Sequence, residues 1–201
     1  MTEIELKAWV DDRESVIKKI NAFAKYHGAV SKDDTYWGKI GFPKIRIRKE
    51  KKDDGCETVF LTYKRKEKKD VNGTAVEVND EKECEISDSV PLETFLEDSG
   101  FSPVLKKHKE VLSWTLDLSK SGLVSQNLNL TIELCNVFPL GDFLELEILS
   151  PSADENSVCE LKKALEYYLE KSGIPGTKIE PRYYSELLAL HESNLTQNGK
   201  A

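Results

Sequence analysis

Polar and apolar residues alternate along much of the chain, and this period of two is typical of β-strands with one charged face. In the first such segment, Glu3, Glu5 and Lys7 alternate with Ile4 and Leu6. The same alternation predicts about eight strands, over residues 3–10, 35–39, 44–48, 57–66, 75–87, 104–117, 128–137 and 142–149. Eight strands are enough to close a barrel, so the pattern predicts a β-barrel at the centre of the fold.

Four other segments space their apolar residues at helical intervals and predict helices that flank the barrel, which makes the fold class α+β. They are residues 12–27 with Asp11 or Asp12 as N-cap and Gly28 as stop, Ser89–Gly100, 154–172 and Tyr183–Leu190. The connections are polar turns rather than linkers. We therefore expect a single domain over residues 1–192, followed by a disordered polar tail over residues 193–201.

Charge and composition narrow the choice of partners. The formal net charge is −7, whereas nucleic acids and anionic membranes attract a net positive surface, so neither is expected as a partner. No apolar run approaches the roughly twenty residues that span a bilayer, and no leader segment is recognisable. The four cysteines lack metal or redox spacing, which is typical of reduced thiols in a cytoplasmic protein.

Like charges recur two residues apart on the predicted strands. The pairs are Glu3/Glu5, Glu83/Glu85 and Glu145/Glu147 among acidic residues, and Arg46/Arg48, Lys64/Lys66 and Lys107/Lys109 among basic ones. Alternate residues of a strand share a face, so two carboxylates about 6.5–7 Å apart along the chain can reach one hard cation such as Mg²⁺ or Mn²⁺. Because side-by-side like charges repel, their repetition predicts ligands that offset them: a metal on the carboxylates and a polyphosphate on the basic side chains.

Seven segments, in this order along the chain, carry a family resemblance. They are Glu3–Lys7, Asp34–Trp37, Arg46–Arg48, Thr62–Lys64, Lys107–Lys109, Leu140–Glu147 and Pro181–Leu188. The first resembles the E-x-E-x-K motif of the CYTH family, also called triphosphate tunnel metalloenzymes. The others are similar to its D-x-Y, R-x-R, lysine-bearing, K-x-R, L-G-x-F-x-E-I-E and S-Y-x-x-L-L segments. The family includes class IV adenylyl cyclases, thiamine triphosphatases and inorganic tripolyphosphatases.

The resemblance implies a closed antiparallel eight-stranded tunnel that binds Mg²⁺ or Mn²⁺ together with a triphosphate. The implied metal ligands are Glu3, Glu5, Glu145 and Glu147, with Glu83 and Glu85 as additional candidates. The implied triphosphate-binding residues are Arg46, Arg48, Lys64, Lys107, Lys109 and Arg182. Lys7 would join them and, with Glu133, act in catalysis. The chain departs from the family at Cys135, where aspartate is frequent and for which Glu133 could substitute, and at Lys109, where arginine is usual.

Three functions fit these residues. The first is a metal-dependent triphosphatase that transfers a phosphoryl group from tripolyphosphate, ATP or thiamine triphosphate to water. The second is a class IV-type adenylyl cyclase that converts ATP to cyclic AMP and pyrophosphate. The best-known cyclases of the family carry a His-Phe pair ahead of E-x-E-x-K, and Met1-Thr2 stands there in this chain, which disfavours the cyclase. The third is a non-catalytic polyphosphate-binding or nucleotide-binding module. The sequence leaves a homodimer open.

Overall fold

The computed structural model describes residues 2–71, 74–152 and 154–198, without the side chains of residues 64–71, 74–81 and 195–198. In these ranges the elements are β1 (Thr2–Trp9), α1 (Arg13–Ile20), β2 (Lys25–Gly38), β3 (Ile45–Lys52), β4 (Glu57–Val71), β5 (Thr74–Ile86), α2 (Val90–Asp98), β6 (Ser102–Asp117), β7 (Asn129–Val137), β8 (Gly141–Ser150), α3 (Glu155–Lys171) and α4 (Tyr184–Asn198). The predicted α+β class is confirmed.

The eight strands form one curled sheet in which all neighbours are antiparallel, as the family resemblance implies. The hydrogen-bonded order is β1-β5-β4-β3-β2-β6-β7-β8, and β8 pairs in turn with β1. The contact of β1 with β5 is short and spans Thr2–Glu5 on β1, whereas β2 and β6 pair over almost their whole lengths. The curl brings strands that are distant in sequence around one concave space.

The apolar face of the sheet points outward, toward the helices. On β1, Ile4 and Leu6 are buried in a core that includes residues of α1 and α3, and a smaller core joins α2 to β2 and β3. Because successive side chains of a strand point to opposite sides, Glu3, Glu5 and Lys7 point to the concave side instead. Most of the hydrophobic core therefore lies between the sheet and helices α1 to α3. Charged residues line the concave side, where a smaller apolar cluster joins Phe143 of β8 to Leu187 of α4.

The first helix is shorter than predicted, and the strand after it is much longer. α1 ends at Ile20, whereas the apolar pattern predicted a helix to residue 27, and β2 already begins at Lys25. Phe23 packs against the main core although it lies beyond the helix, which explains why the helical spacing continues. The backbone from Lys25 onward gains ladder hydrogen bonds with β6, starting opposite Thr115, and this pairing overrides the local periodicity.

The start of α1 agrees with the sequence prediction, whereas the end of α4 does not. Asp12 caps α1, as predicted, and its carboxylate accepts a hydrogen bond from the backbone N–H of Ser15. α4 runs to Asn198, past the predicted end at Leu190 and into residues expected as a tail. None of the helices in the described ranges has the length and apolar character that a membrane span requires.

Candidate active site

Charged side chains of both signs line a cavity of about 670 Å³ on the concave side of the sheet, a volume within the usual range of small-molecule sites. Its carboxylates belong to Glu3, Glu5, Glu83, Glu133, Glu145 and Glu147. Its cationic groups belong to Lys7, Lys32, Lys44, Arg46, Arg48, Lys107 and Lys109. The structure thus brings most of the residues predicted for the metal, for the triphosphate and for catalysis to one space.

Among the described side chains, two predicted site residues, Glu85 and Arg182, do not line this cavity. Glu85 is exposed on β5, and the side chain of Lys64 on β4 falls outside the described residues. Arg182 is half exposed, and its guanidinium Nη2 pairs with Glu180 at 2.5 Å. The hydrogen bonds from Arg182 lower the pKa of Glu180 to about 2, so this pair is charged on both sides at neutral pH. The guanidinium predicted to bind triphosphate therefore has a carboxylate partner at the edge of the site.

Carboxylates of neighbouring strands face one another in the cavity. Glu5 of β1 lies directly opposite Glu147 of β8, and Glu145 of β8 lies opposite Glu133 of β7. Like charges in directly opposed positions destabilise a sheet, and a cation between them removes the repulsion. Carboxylate oxygens are also the ligands that Mg²⁺ and Mn²⁺ prefer. The donor set therefore fits the cation that the family resemblance implies.

Cys135 lies on β7 at the position where the family often has aspartate. Its Sγ atom and one carboxylate oxygen each of Glu133 and Glu145 lie within 4.8 Å of one another. Complete burial, reinforced by the charge of Glu145, raises the pKa of the Cys135 thiol far above its ordinary value, so the thiol is neutral at neutral pH. A neutral thiol is a poor ligand for a hard cation, which leaves the two glutamates as the oxygen donors of this group.

Lysines neutralise these two carboxylates in the structure. Lys32 Nζ donates a hydrogen bond to Glu133 at 2.6 Å, and Lys109 Nζ donates to Glu145 Oε2 at 2.7 Å. Burial alone would raise the pKa of Glu145, but the charges of Lys109 and Lys107 lower it well below its ordinary range. The site thus holds its opposite charges as ion pairs, and a cation and an anion that bind together would exchange partners with them.

A buried aspartate without a predicted role, Asp34, joins two of the predicted anion-binding residues. Arg48 donates from Nε to Asp34 Oδ1 at 2.6 Å and from Nη2 to Oδ2 at 3.1 Å, and Lys107 Nζ lies 3.0 Å from Oδ2. Burial would raise the pKa of Asp34, but the charges of Lys107 and Arg48 outweigh it and lower the pKa well below its ordinary value. Asp34 lies two residues after Lys32 on β2, so the two side chains point to the same side of the sheet. This spacing was the signal in the sequence that Asp34 faces the cavity.

Helix α4 adds an aromatic side chain that was also not assigned to the site. The hydroxyl of Tyr184, the first residue of α4, donates a hydrogen bond to Glu145 Oε1 at 2.5 Å. The ammonium groups of Lys7 and Lys107 lie 4.5 Å and 4.8 Å from the centre of its ring. Burial and the negative charge of Glu145 raise the pKa of Tyr184 well above its ordinary value, so the phenol keeps its proton.

Solved structures with the same fold include proteins from an archaeon, a bacterium and a plant. The PH1819 protein of Pyrococcus horikoshii OT3 superimposes with a TM-score of 0.73 at 28% identity, over 94% of this chain and 99% of that one. A Vibrio parahaemolyticus protein proposed to be an adenylate cyclase has a TM-score of 0.63 at 15% identity, over 94% of this chain and 98% of that one.

The plant protein is HpAC1 from Hippeastrum, proposed to be an adenylyl cyclase and described with a dominant triphosphatase activity. Its TM-score is 0.57 at 16% identity, over 95% of this chain and 96% of that one. No protein-family model and no curated protein matches the sequence. At these low identities the bacterial and plant proteins establish a shared fold. With that fold and the assembled cavity, the resemblance of this chain to the CYTH family is confirmed.

Proposed function

We propose that this chain is a divalent-metal-dependent enzyme that acts on a small-molecule triphosphate by transferring a phosphoryl group to water. The observation that carries the proposal is the cavity itself, in which carboxylates opposed across strands share one space with seven cationic side chains of the described residues. Buried charges are costly compared with apolar residues of the same size, so stability alone does not account for them. A triphosphate bound with a cation would satisfy both sets of charges.

The cationic residues would bind and orient the triphosphate. Arg46 and Arg48 present planar guanidinium groups that can bind phosphate oxygens in pairs, and the position of Arg48 is fixed by Asp34. Lys7 and Lys107 would act as point charges beside them. As the leaving group departs, these groups would neutralise the charge that develops on its oxygens. In this proposal the curled sheet forms a closed tunnel around the ligand.

The carboxylates would divide between two roles. Glu3, Glu5, Glu145 and Glu147 would hold Mg²⁺ or Mn²⁺, which when bound polarises phosphoryl oxygens. Glu133 would accept a proton from the attacking water, because it faces Glu145 across β7 and β8 and Lys32 holds its carboxylate in the cavity. The fold shared with HpAC1, described with a dominant triphosphatase activity, supports hydrolysis as the first reaction to test.

The first prediction concerns product and metal dependence. The purified protein, incubated with Mg²⁺ or Mn²⁺ and separately with tripolyphosphate, ATP and thiamine triphosphate, should release orthophosphate from at least one of them. Removal of the metal with EDTA should abolish release, and added metal should restore it. Cyclic AMP with pyrophosphate from ATP would instead assign the cyclase reaction. Tight binding of all three without any product would contradict an enzymatic function and support a binding module.

A second prediction follows from the ion pairs of the cavity. A cation that takes Glu145 releases Lys109, and a triphosphate that takes Lys109 releases Glu145. Each ligand should therefore strengthen the other, by about 5-fold to 150-fold if the coupling is of ordinary size. Calorimetric titration with tripolyphosphate, with and without Mg²⁺ and corrected for the complex that the two form in protein-free buffer, measures this coupling. Equal affinities in the two titrations would contradict it.

A further inference from the structure

We propose that Tyr184 is a positioning residue that orients both halves of the site, Glu145 for the cation and the ammonium groups of three lysines for the triphosphate. This inference rests on the proposed function and adds a residue to it. Tyr184 belongs to α4, whereas most other residues of the site come from strands. Its hydroxyl and its ring act on different groups, so the two contributions can be separated by substitution.

The hydroxyl orients the carboxylate. Glu145 has two partners: Tyr184 donates to Oε1, and Lys109 donates to Oε2. When a triphosphate draws Lys109 away, Oε2 becomes available to the cation, while the phenol continues to hold Oε1. A hydrogen bond to the second oxygen of a ligating carboxylate fixes its orientation, and the loss of such an outer contact typically costs 10-fold to 100-fold in metal affinity.

The aromatic ring of Tyr184 attracts three lysine ammonium groups. The ammonium groups of Lys7, Lys107 and Lys109 lie 4.5, 4.8 and 5.5 Å from its centre, all within the distance at which a ring face attracts a cation. Three ammonium groups held near one point repel one another, and the negative face of the ring offsets part of that repulsion. The attraction of an ammonium group to the ring is not an ion pair, so a phosphate can bind these lysines without breaking it. The pair of Lys109 with Glu145 is different, because a phosphate that takes Lys109 must break it. The three charges are therefore assembled before the triphosphate arrives.

Tyr184 is held firmly enough to position other groups. Its ring contacts Phe143 edge to face, with centres 5.1 Å apart and planes at 88°. One turn later, Leu187 is buried in the apolar cluster that includes Phe143. At the start of α4, the backbone N–H of Tyr183 donates to the carboxylate of Glu186 at 2.6 Å, which fixes the first turn. The position of the phenol is thus set by the packing of the helix on the sheet.

Two substitutions separate the hydroxyl from the ring. Tyr184→Phe keeps the ring and should weaken Mn²⁺ binding, measured by electron paramagnetic resonance, by about 10-fold or more. Its affinity for tripolyphosphate in EDTA, measured by calorimetry, should stay within about twofold of the parent protein, because the cation-binding face is intact. Tyr184→Leu should weaken Mn²⁺ binding similarly and tripolyphosphate binding by roughly tenfold. Tyr167→Phe, at an exposed tyrosine of α3, should change neither affinity and serves as the matched control.

The outcomes separate this inference from the proposed function. If the parent protein binds both ligands and Tyr184→Phe binds Mn²⁺ with equal affinity, the positioning role is overturned while the proposed function stands. Equal loss of both affinities in Tyr184→Phe, together with a lower midpoint of urea unfolding, would also overturn it, because that result indicates general damage to the fold. If the parent protein binds neither ligand, the proposed function fails and this inference fails with it. If Tyr184→Leu does not fold, Tyr184→Phe decides.

Discussion

Replacing Glu5 with glutamine should lower metal-dependent triphosphate turnover by about 100-fold or more while making the metal-free protein more stable. Glu5 lies on the concave side of β1, directly opposite Glu147 of β8. Glutamine keeps the size of the side chain, but it removes one negative charge and one strong oxygen donor for the cation. In the absence of metal the same change removes a cross-strand repulsion, so the free energy of unfolding should rise by up to about 1 kcal/mol.

Opposite effects on activity and stability are what distinguish a functional charge from a structural one. Turnover would be followed as orthophosphate release with Mg²⁺ or Mn²⁺, and stability by urea unfolding in EDTA. Glu57→Gln, at an exposed position of β4, is the matched control and should leave both quantities close to those of the parent protein. Full activity in Glu5→Gln would remove Glu5 from the metal site. Loss of activity with loss of stability would show that Glu5 supports the fold instead.

The alternation of residues was sufficient to predict which side chains of β1 share the cavity. A strand has an exact period of two, so once Ile4 and Leu6 are assigned to the core, Glu3, Glu5 and Lys7 must face the other way. The same rule places three charged pairs of other strands on the concave side, Arg46/Arg48, Lys107/Lys109 and Glu145/Glu147. The motif order then indicated a resemblance to the CYTH family, and solved structures of proteins proposed to be adenylyl cyclases share the fold. These predictions succeeded because each depends on neighbours along a single strand.

Contacts between elements could not be predicted in this way. Tyr184 and Glu145 are 39 positions apart and meet because α4 packs over the sheet, which no periodicity encodes. Similarly, the motif containing Arg182 indicated a cationic side chain near the site, but not that Glu180 would pair with it. The end of α1 at Ile20 was mispredicted because pairing of β2 with β6 decides it. The local sequence pattern predicts which face of a strand or helix a residue occupies. The partner that its side chain contacts depends on tertiary packing.

The charges of the cavity also explain why its residues must be assessed as pairs. Lys32 with Glu133 and Lys109 with Glu145 neutralise each other in the structure. Removing one member leaves the other as an uncompensated charge in a partly buried place, which costs more than the pair contributes. A substitution at the site can therefore reduce activity by damaging the fold, and measurements of stability have to accompany those of turnover. The loss of stability should be greatest at the ion-paired residue whose side chain is most completely buried.

Asp34 is that position, and replacing it with asparagine should lower the free energy of unfolding by roughly 3–5 kcal/mol at neutral pH. Its side chain is fully buried and pairs with Arg48 and Lys107, both nearly buried themselves. Asparagine keeps the shape and can still accept a hydrogen bond, but the two cations lose their countercharge. Asp33→Asn is the matched control: Asp33 is exposed next to His108, and its loss should cost less than about 1 kcal/mol.

The dependence of this difference on pH tests whether the charge of Asp34 is responsible. Its pKa is lower in the folded chain than the ordinary value of about 3.9 that it takes when unfolded. The ionised carboxylate therefore stabilises the folded state fully above that value, and the contribution decreases as the pH falls toward the folded pKa. Urea unfolding at pH 7 should separate the parent protein from Asp34→Asn widely, and the gap should narrow below about pH 4. A gap that stays constant would attribute the loss to packing, and equal unfolding midpoints at pH 7 would reject the buried ion pairs as a source of stability.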